Sequence, residues 1–198
     1  MVSKGVLENA AAMAIYGTIS LAVRNIALSS GETAFWRVAI ALAAILIYKC
    51  AKRERLPFRQ AKSELPWLAA SGVALGGDWI LFFEAYRYTS VSLTTLSYYF
   101  CPVIVMVLSP VIFKERITFR QWVCFVMASF GLVLIIGARA RGSERELIGI
   151  ALGLAAAVCY AGIILINKRI RAMSGIDRTA FQFMAAAAVL AIYVSLTS

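Results

Sequence analysis

Seven apolar runs dominate the chain, at roughly residues 6 to 27, 32 to 49, 66 to 87, 91 to 113, 119 to 137, 147 to 167 and 179 to 197. A helix needs about 20 apolar residues to cross the hydrocarbon core of a bilayer, so each run has the length and character of a transmembrane helix. All are too long and too continuous for strands, and none shows the alternation of about ten residues that marks an outer-membrane barrel. With 62% hydrophobic residues, the 198-residue chain lies outside the range of soluble domains. The expected fold is an all-α polytopic membrane protein. The N-terminal run reaches about Ile26 without a small-x-small cleavage site, so it reads as a retained first span rather than a removed signal peptide.

The formal net charge of +10 sits in short clusters between the apolar runs, not along one polar face. That pattern argues against nucleic acid as a partner and for a topology signal instead. Lys and Arg are retained on the cytoplasmic side of membrane proteins. Placing the N-terminus inside puts fourteen of the twenty positive residues there: Lys4; Lys49, Lys52, Arg53, Arg55, Arg59 and Lys62; Lys114, Arg116 and Arg120; Lys168, Arg169, Arg171 and Arg178. The opposite side holds Arg24, Arg37, Arg87, Arg139, Arg141 and Arg145. The expected placement is the cell membrane, multi-pass, with a cytoplasmic N-terminus.

The chain contains no histidine, which removes Ser-His-Asp, Cys-His and H-E-x-x-H chemistry. An enzyme is therefore not expected, and neither a metal nor a cofactor is called for. The four cysteines, Cys50, Cys101, Cys124 and Cys159, are widely spaced and read as buried structural thiols. No phosphate-binding G-x-x-x-x-G-K run occurs, so any transport would draw on a gradient rather than directly on ATP.

A repeat is visible across the spans. AAMAIYGTISLAVRNI (11 to 26) aligns with AAAVCYAGIILINKRI (155 to 170), so Tyr16 meets Tyr160, and the next helices open TAFWR (33 to 37) and TAFQF (179 to 183). The unit restarts after five helices. Five is odd, so the second copy crosses the membrane in the opposite sense, as in the inverted repeats of secondary transporters. Residues 1–138 form the first repeat and 139–198 a partial second one, whose two helices suggest that three further spans belong to the complete unit.

Three stretches carry a family resemblance: IYGTISLAVRNI, EAYRYTSVSLTTLSYYFCPVIVMVLSP and FKERITFRQWVCFVMASFGLVLI. On these the chain resembles an EamA-type member of the drug/metabolite transporter (DMT) superfamily, along essentially its whole length. The resemblance implies two five-helix inverted repeats and export of amino acids, other metabolites or drugs across the cytoplasmic membrane. The alternative is a scaffold or assembly subunit that packs against another membrane protein and moves nothing. The partners expected are the lipid bilayer and a small-molecule substrate, with either a homodimer or missing C-terminal helices completing the bundle.

The stretch GGDWILFFEAYRYTS places Asp78 near the middle of the third span. An ionised carboxylate at that depth costs roughly 3 kcal/mol or more, so it must face a wet cavity, meet a basic partner or carry a proton. At helical spacing Ser71, Ala74, Asp78, Phe82, Ala85 and Thr89 share a small or polar face, while Leu75, Trp79, Phe83 and Tyr86 form a bulkier stripe suited to lipid. Asp78 is thus either a cavity-facing functional acid or a structural one. Glu84 lies about 120° around the helix and about 9 Å nearer the outer surface. It is expected to pair with Arg37 or Arg87, as a structural ion pair or as a gate. Thr95, Tyr98 and Pro102 fall on one stripe of the fourth span, and Pro102 frees a carbonyl at membrane depth. With Tyr16 and Tyr160 near mid-membrane, the substrate-path candidates are Tyr16, Asp78, Thr95, Tyr98, Pro102 and Tyr160. Trp36, Trp67 and Trp122, near span ends, read as interface anchors.

Overall fold

A computed structural model describes residues 5–7, 10, 28–114, 116–139, 143–173 and 175–197. Most of the first predicted span, with Tyr16 and Arg24, lies outside the described residues. The described elements are α1 (Ser30–Ala51), α2 (Phe58–Tyr88), α3 (Val91–Tyr98), α4 (Cys101–Phe113), α5 (Phe119–Arg139), α6 (Glu144–Asn167) and α7 (Gly175–Thr197). Taking α3 and α4 as one span, six helices among the described residues are long and apolar enough to cross a membrane. No strand occurs among the described residues. The chain is an all-α polytopic membrane protein.

Local sequence explains the helix ends. Ser29 opens α1 with a capping box: its hydroxyl accepts from the Glu32 amide (3.2 Å) and the Glu32 carboxylate accepts from the Ser29 amide (2.8 Å). Ser90 opens α3 through the Leu93 amide (3.3 Å). Lys114 stops α4 in the left-handed region, at φ 55°.

Two expectations about the spans need correction. The third span does not start at Pro66. Helix α2 begins eight residues earlier, at Phe58, and Pro66 lies inside it. The carbonyl that Pro66 leaves unbonded belongs to Lys62, an exposed residue on a charged extension, so the proline costs little there. The fourth span is not one continuous helix but breaks at Tyr99–Phe100, directly before Cys101 and Pro102. There the Phe100 amide donates to the Ser97 carbonyl in a tighter turn (3.1 Å), and α4 resumes with Pro102 near its start, where no amide is needed.

Helix α2 is the centre of the bundle, packed along α6 and α7, with α1 against α7 and with α3 and α4 against α6. Helix α5 rests on the α3–α4 edge, and no residue of its membrane window is buried. The largest buried cluster joins Ala34 and Val38 of α1, Leu75 and Phe83 of α2, Ile163 of α6, and Ala186 and Leu190 of α7. The bulky stripe of α2 therefore meets α1, α6 and α7 rather than lipid. Lipid is as apolar as leucine, so close packing decides which surfaces pair, and small residues let backbones approach. A Cβ added at Gly72 would overlap the Ala185 Cβ and lie 2.8 Å from the Gln182 carbonyl oxygen. At Gly153 it would lie 3.0 Å from the Ser97 Cβ.

The expectation of buried cysteines holds for Cys101 but not for Cys50 or Cys124, which are exposed. Cys50 closes α1, and Cys124 lies on the outlying α5.

Candidate functional site

Asp78 is wholly buried, where α2 faces α3 and α6. Its Oδ2 accepts a hydrogen bond from the Tyr98 hydroxyl (3.3 Å). Its Oδ1 is buried without a hydrogen-bond partner among the described residues. A carboxylate oxygen in that state is poised to take a proton, a donor or a cation, because an unmet buried acceptor is costly.

Aromatic rings frame the acid. The Tyr98 ring centroid lies 4.8 Å from Phe82, on the helix that carries Asp78, and 5.4 Å from Tyr160 on α6. The structure thus brings together three of the predicted path residues, Asp78, Tyr98 and Tyr160. Two others stand apart. Thr95 directs its hydroxyl back to the Val91 carbonyl (2.7 Å), and Pro102 lies on the exposed side of α4. Of the stripe read through Thr95, Tyr98 and Pro102, only Tyr98 reaches the acid.

Toward the end where α1 begins, Glu84 bonds Arg87 (3.2 Å) and accepts from the Ser30 hydroxyl (2.6 Å). Of the two arginines expected near it, Arg87 makes the ion pair. The Arg37 guanidinium instead lies over the Trp79 ring, 4.4 Å from its centroid, in cation–π geometry.

Sequence reasoning missed a buried polar junction of three helices. Gln182 Nε2 of α7 donates to Ser71 Oγ of α2 (2.8 Å) and to Asn167 Oδ1 of α6 (2.6 Å). Ser71 precedes Asp78 by seven residues, two turns or about 10.5 Å along α2. The available signal was the lone glutamine inside the otherwise apolar run AFQFMAAAA, where a polar side chain needs a partner.

The end of the bundle where α1 and α6 finish carries two further ties. Lys49 Nζ lies 2.6 Å from Asp177 Oδ1, joining α1 to α7. The Glu64 carboxylate accepts from the amides of Arg171 (2.8 Å) and Ala172 (3.1 Å), capping the turn between α6 and α7.

A cleft of about 350 Å³ opens between α4, α5 and α6, away from Asp78. Ser109, Arg116, Gln121 and Lys168 supply its polar wall, and Pro102 is among its apolar residues. Lys168 Nζ donates to Ser109 Oγ (2.8 Å).

The described residues thus form an all-helical polytopic membrane bundle that buries an acid beside two facing tyrosines. Residues 3–137 match the EamA-like transporter family, and the chain belongs to it. It is 25% identical over 182 residues to the uncharacterized transporter YxxF of Bacillus subtilis (strain 168), covering 91% of this chain and 58% of that protein. It is 28% identical over 116 residues to protein RarD of Escherichia coli (strain K12), covering 59% of this chain and 38% of that protein. The chain thus spans little more than half the length of the first relative and less of the second. No solved structure gives a significant match.

Proposed function

We propose that the chain forms the greater part of a secondary transporter that exports amino acids or other small metabolites or drugs by alternating access. It would lie in the cell membrane with its N-terminus cytoplasmic, residues 1–138 as one repeat and 139–198 as part of its inverted counterpart. The observation that carries the reading is the Asp78 carboxylate, wholly buried in a membrane bundle with one oxygen unmet. Membrane proteins keep such acids mainly for ion, proton or substrate pathways. Asp78 is the coupling group, with Tyr98 and Tyr160 as the wall it shares with the substrate; Tyr16, the match of Tyr160 in the repeat, is the further path candidate and lies outside the described residues. Glu84, held by Arg87 on its own helix, accepts from Ser30 and so ties the start of α1 to the end of α2.

The test is flux in reconstituted vesicles under an imposed proton or cation gradient. Asp78→Asn is expected to abolish coupled export while membrane insertion and amount are unchanged. Normal pH-dependent export by that variant would overturn the reading. Stable co-purification with one membrane partner, together with no flux from the unmodified chain, would favour the scaffold alternative.

A further inference from the structure

The cleft between α4, α5 and α6 does not end at its polar wall. Met106, Pro110 and Ile117 line it and also line a second groove of about 220 Å³ that runs on to Trp122 and Phe125. The two hollows adjoin along these three residues. One end is polar and cationic, with Arg116, Gln121 and Lys168 exposed around it. The other is apolar and lies on α5, the helix whose membrane window has no buried residue.

The surroundings of the mouth are strongly basic. Lys114, Arg120 and Arg169 are also exposed, and the sequence 114–120 holds three cations against one acid, Glu115. The Arg169 guanidinium lies 5.3 Å from the Phe113 ring centroid and 5.9 Å from that of Trp67, which keeps a cation beside the exit of α4. These residues stand at the end of the bundle shared by Lys49, Asp177 and the turn between α6 and α7.

An anionic head and an apolar tail are the two features these adjoining hollows match at once. We infer that the cleft is a binding site for an acidic phospholipid, its phosphate held by Arg116 and Lys168 with Gln121 and its acyl chain laid along Met106, Ile117 and Trp122. A basic pocket between transmembrane helices at the headgroup level suits such a lipid, and each nearby cation strengthens the attraction. A soluble anion would use the polar end alone and leave the groove unfilled. A zwitterionic lipid would fill the groove but gain little from the cations.

The test uses the full chain in nanodiscs of equal phosphatidylglycerol and phosphatidylcholine, with lipid retained after detergent release counted by native mass spectrometry. Phosphatidylglycerol should be retained and phosphatidylcholine lost. Arg116→Gln combined with Lys168→Gln should reduce that retention by about 10- to 30-fold, the effect expected for two cations near a headgroup. Met106→Trp keeps every charge, narrows the groove, and should reduce it as well. Lys114→Gln with Arg120→Gln, outside the cleft, should leave most of it. Equal retention of both lipids would overturn the site, and so would equal losses from the cleft and loop variants. Displacement of the lipid by millimolar glycerol phosphate would show that a free anion is the ligand.

Discussion

Asp78 and Tyr98 lie twenty residues apart in sequence and 3.3 Å apart in space, joined by a phenol that is the one side-chain donor to the acid among the described residues. Tyr98→Phe keeps the ring against Phe82 and Tyr160 but leaves both carboxylate oxygens unmet. Stability is expected to fall by about 1–3 kcal/mol, read as the midpoint of unfolding in a denaturing-detergent titration. A midpoint that does not move would mean that the two groups are not bonded in the folded protein.

The Gln182 junction predicts coupling between helices distant in sequence. Hydrogen bonds between transmembrane helices contribute about 0.6 kcal/mol on average and up to about 1.7. Gln182→Leu breaks bonds to both Ser71 and Asn167, so a loss of about 1–3 kcal/mol is expected. In a double-mutant cycle, Ser71→Ala should cost less in the Gln182→Leu background than alone. Additive losses would argue that the two residues act separately.

Two glycines five residues apart should respond with opposite sign. Gly72→Ala drives a methyl into Ala185 and the Gln182 carbonyl, and overpacking of this kind costs about 1–3 kcal/mol. Nothing lies within 4 Å of the Cβ position at Gly77, so Gly77→Ala should be neutral or stabilise by about 0.5–1 kcal/mol through helix propensity. Thermal unfolding of the two variants side by side checks both.

The Lys49–Asp177 pair ties the end of α1 to the start of α7. Lys49→Met is expected to increase proteolytic cutting of the segment between α6 and α7, because the tie from α1 to Asp177 is then lost. The exchanged pair Lys49→Asp with Asp177→Lys should restore much of the protection. Failure of the exchange to rescue would show that the lysine stem, not its charge, matters there.

Orientation has a direct readout in the exposed Cys50. With Cys50 as the sole cysteine, a membrane-impermeant maleimide should label inside-out vesicles and spare right-side-out ones. The reverse pattern would place the basic end of the bundle outside.

Much of this architecture was readable from hydrophobic length alone, because a bilayer sets a minimum span and leaves few alternatives to helix. The spans beginning at Glu32, Phe119 and Leu147 needed only small extensions at their ends. Asp78 stood out for the same reason: an acid in an apolar run is expensive enough to be noticed. The lipid-facing reading of Leu75 and Phe83 failed because apolar side chains suit both lipid and protein, and only helix packing separates the two. Pro66 misled because a proline at a first turn and one inside a charged extension look alike in sequence. The Gln182 junction depends on three residues brought together by the bundle, a relation no single stretch of sequence contains.

The glycine contact at position 72 has a mechanical consequence. With the α2 and α7 backbones nearly touching, and with Gln182 of α7 bonded both to Ser71 of α2 and to Asn167 of α6, these three helices are fastened into one block behind Asp78. Across the acid from α2 stand α3 and α4, split at Tyr99–Phe100, packed against α6 and flanked on their outer edge by α5. Between that block and its cover, the Tyr98 bond to Asp78 is the one side-chain tie among the described residues that any uncovering of the acid has to break.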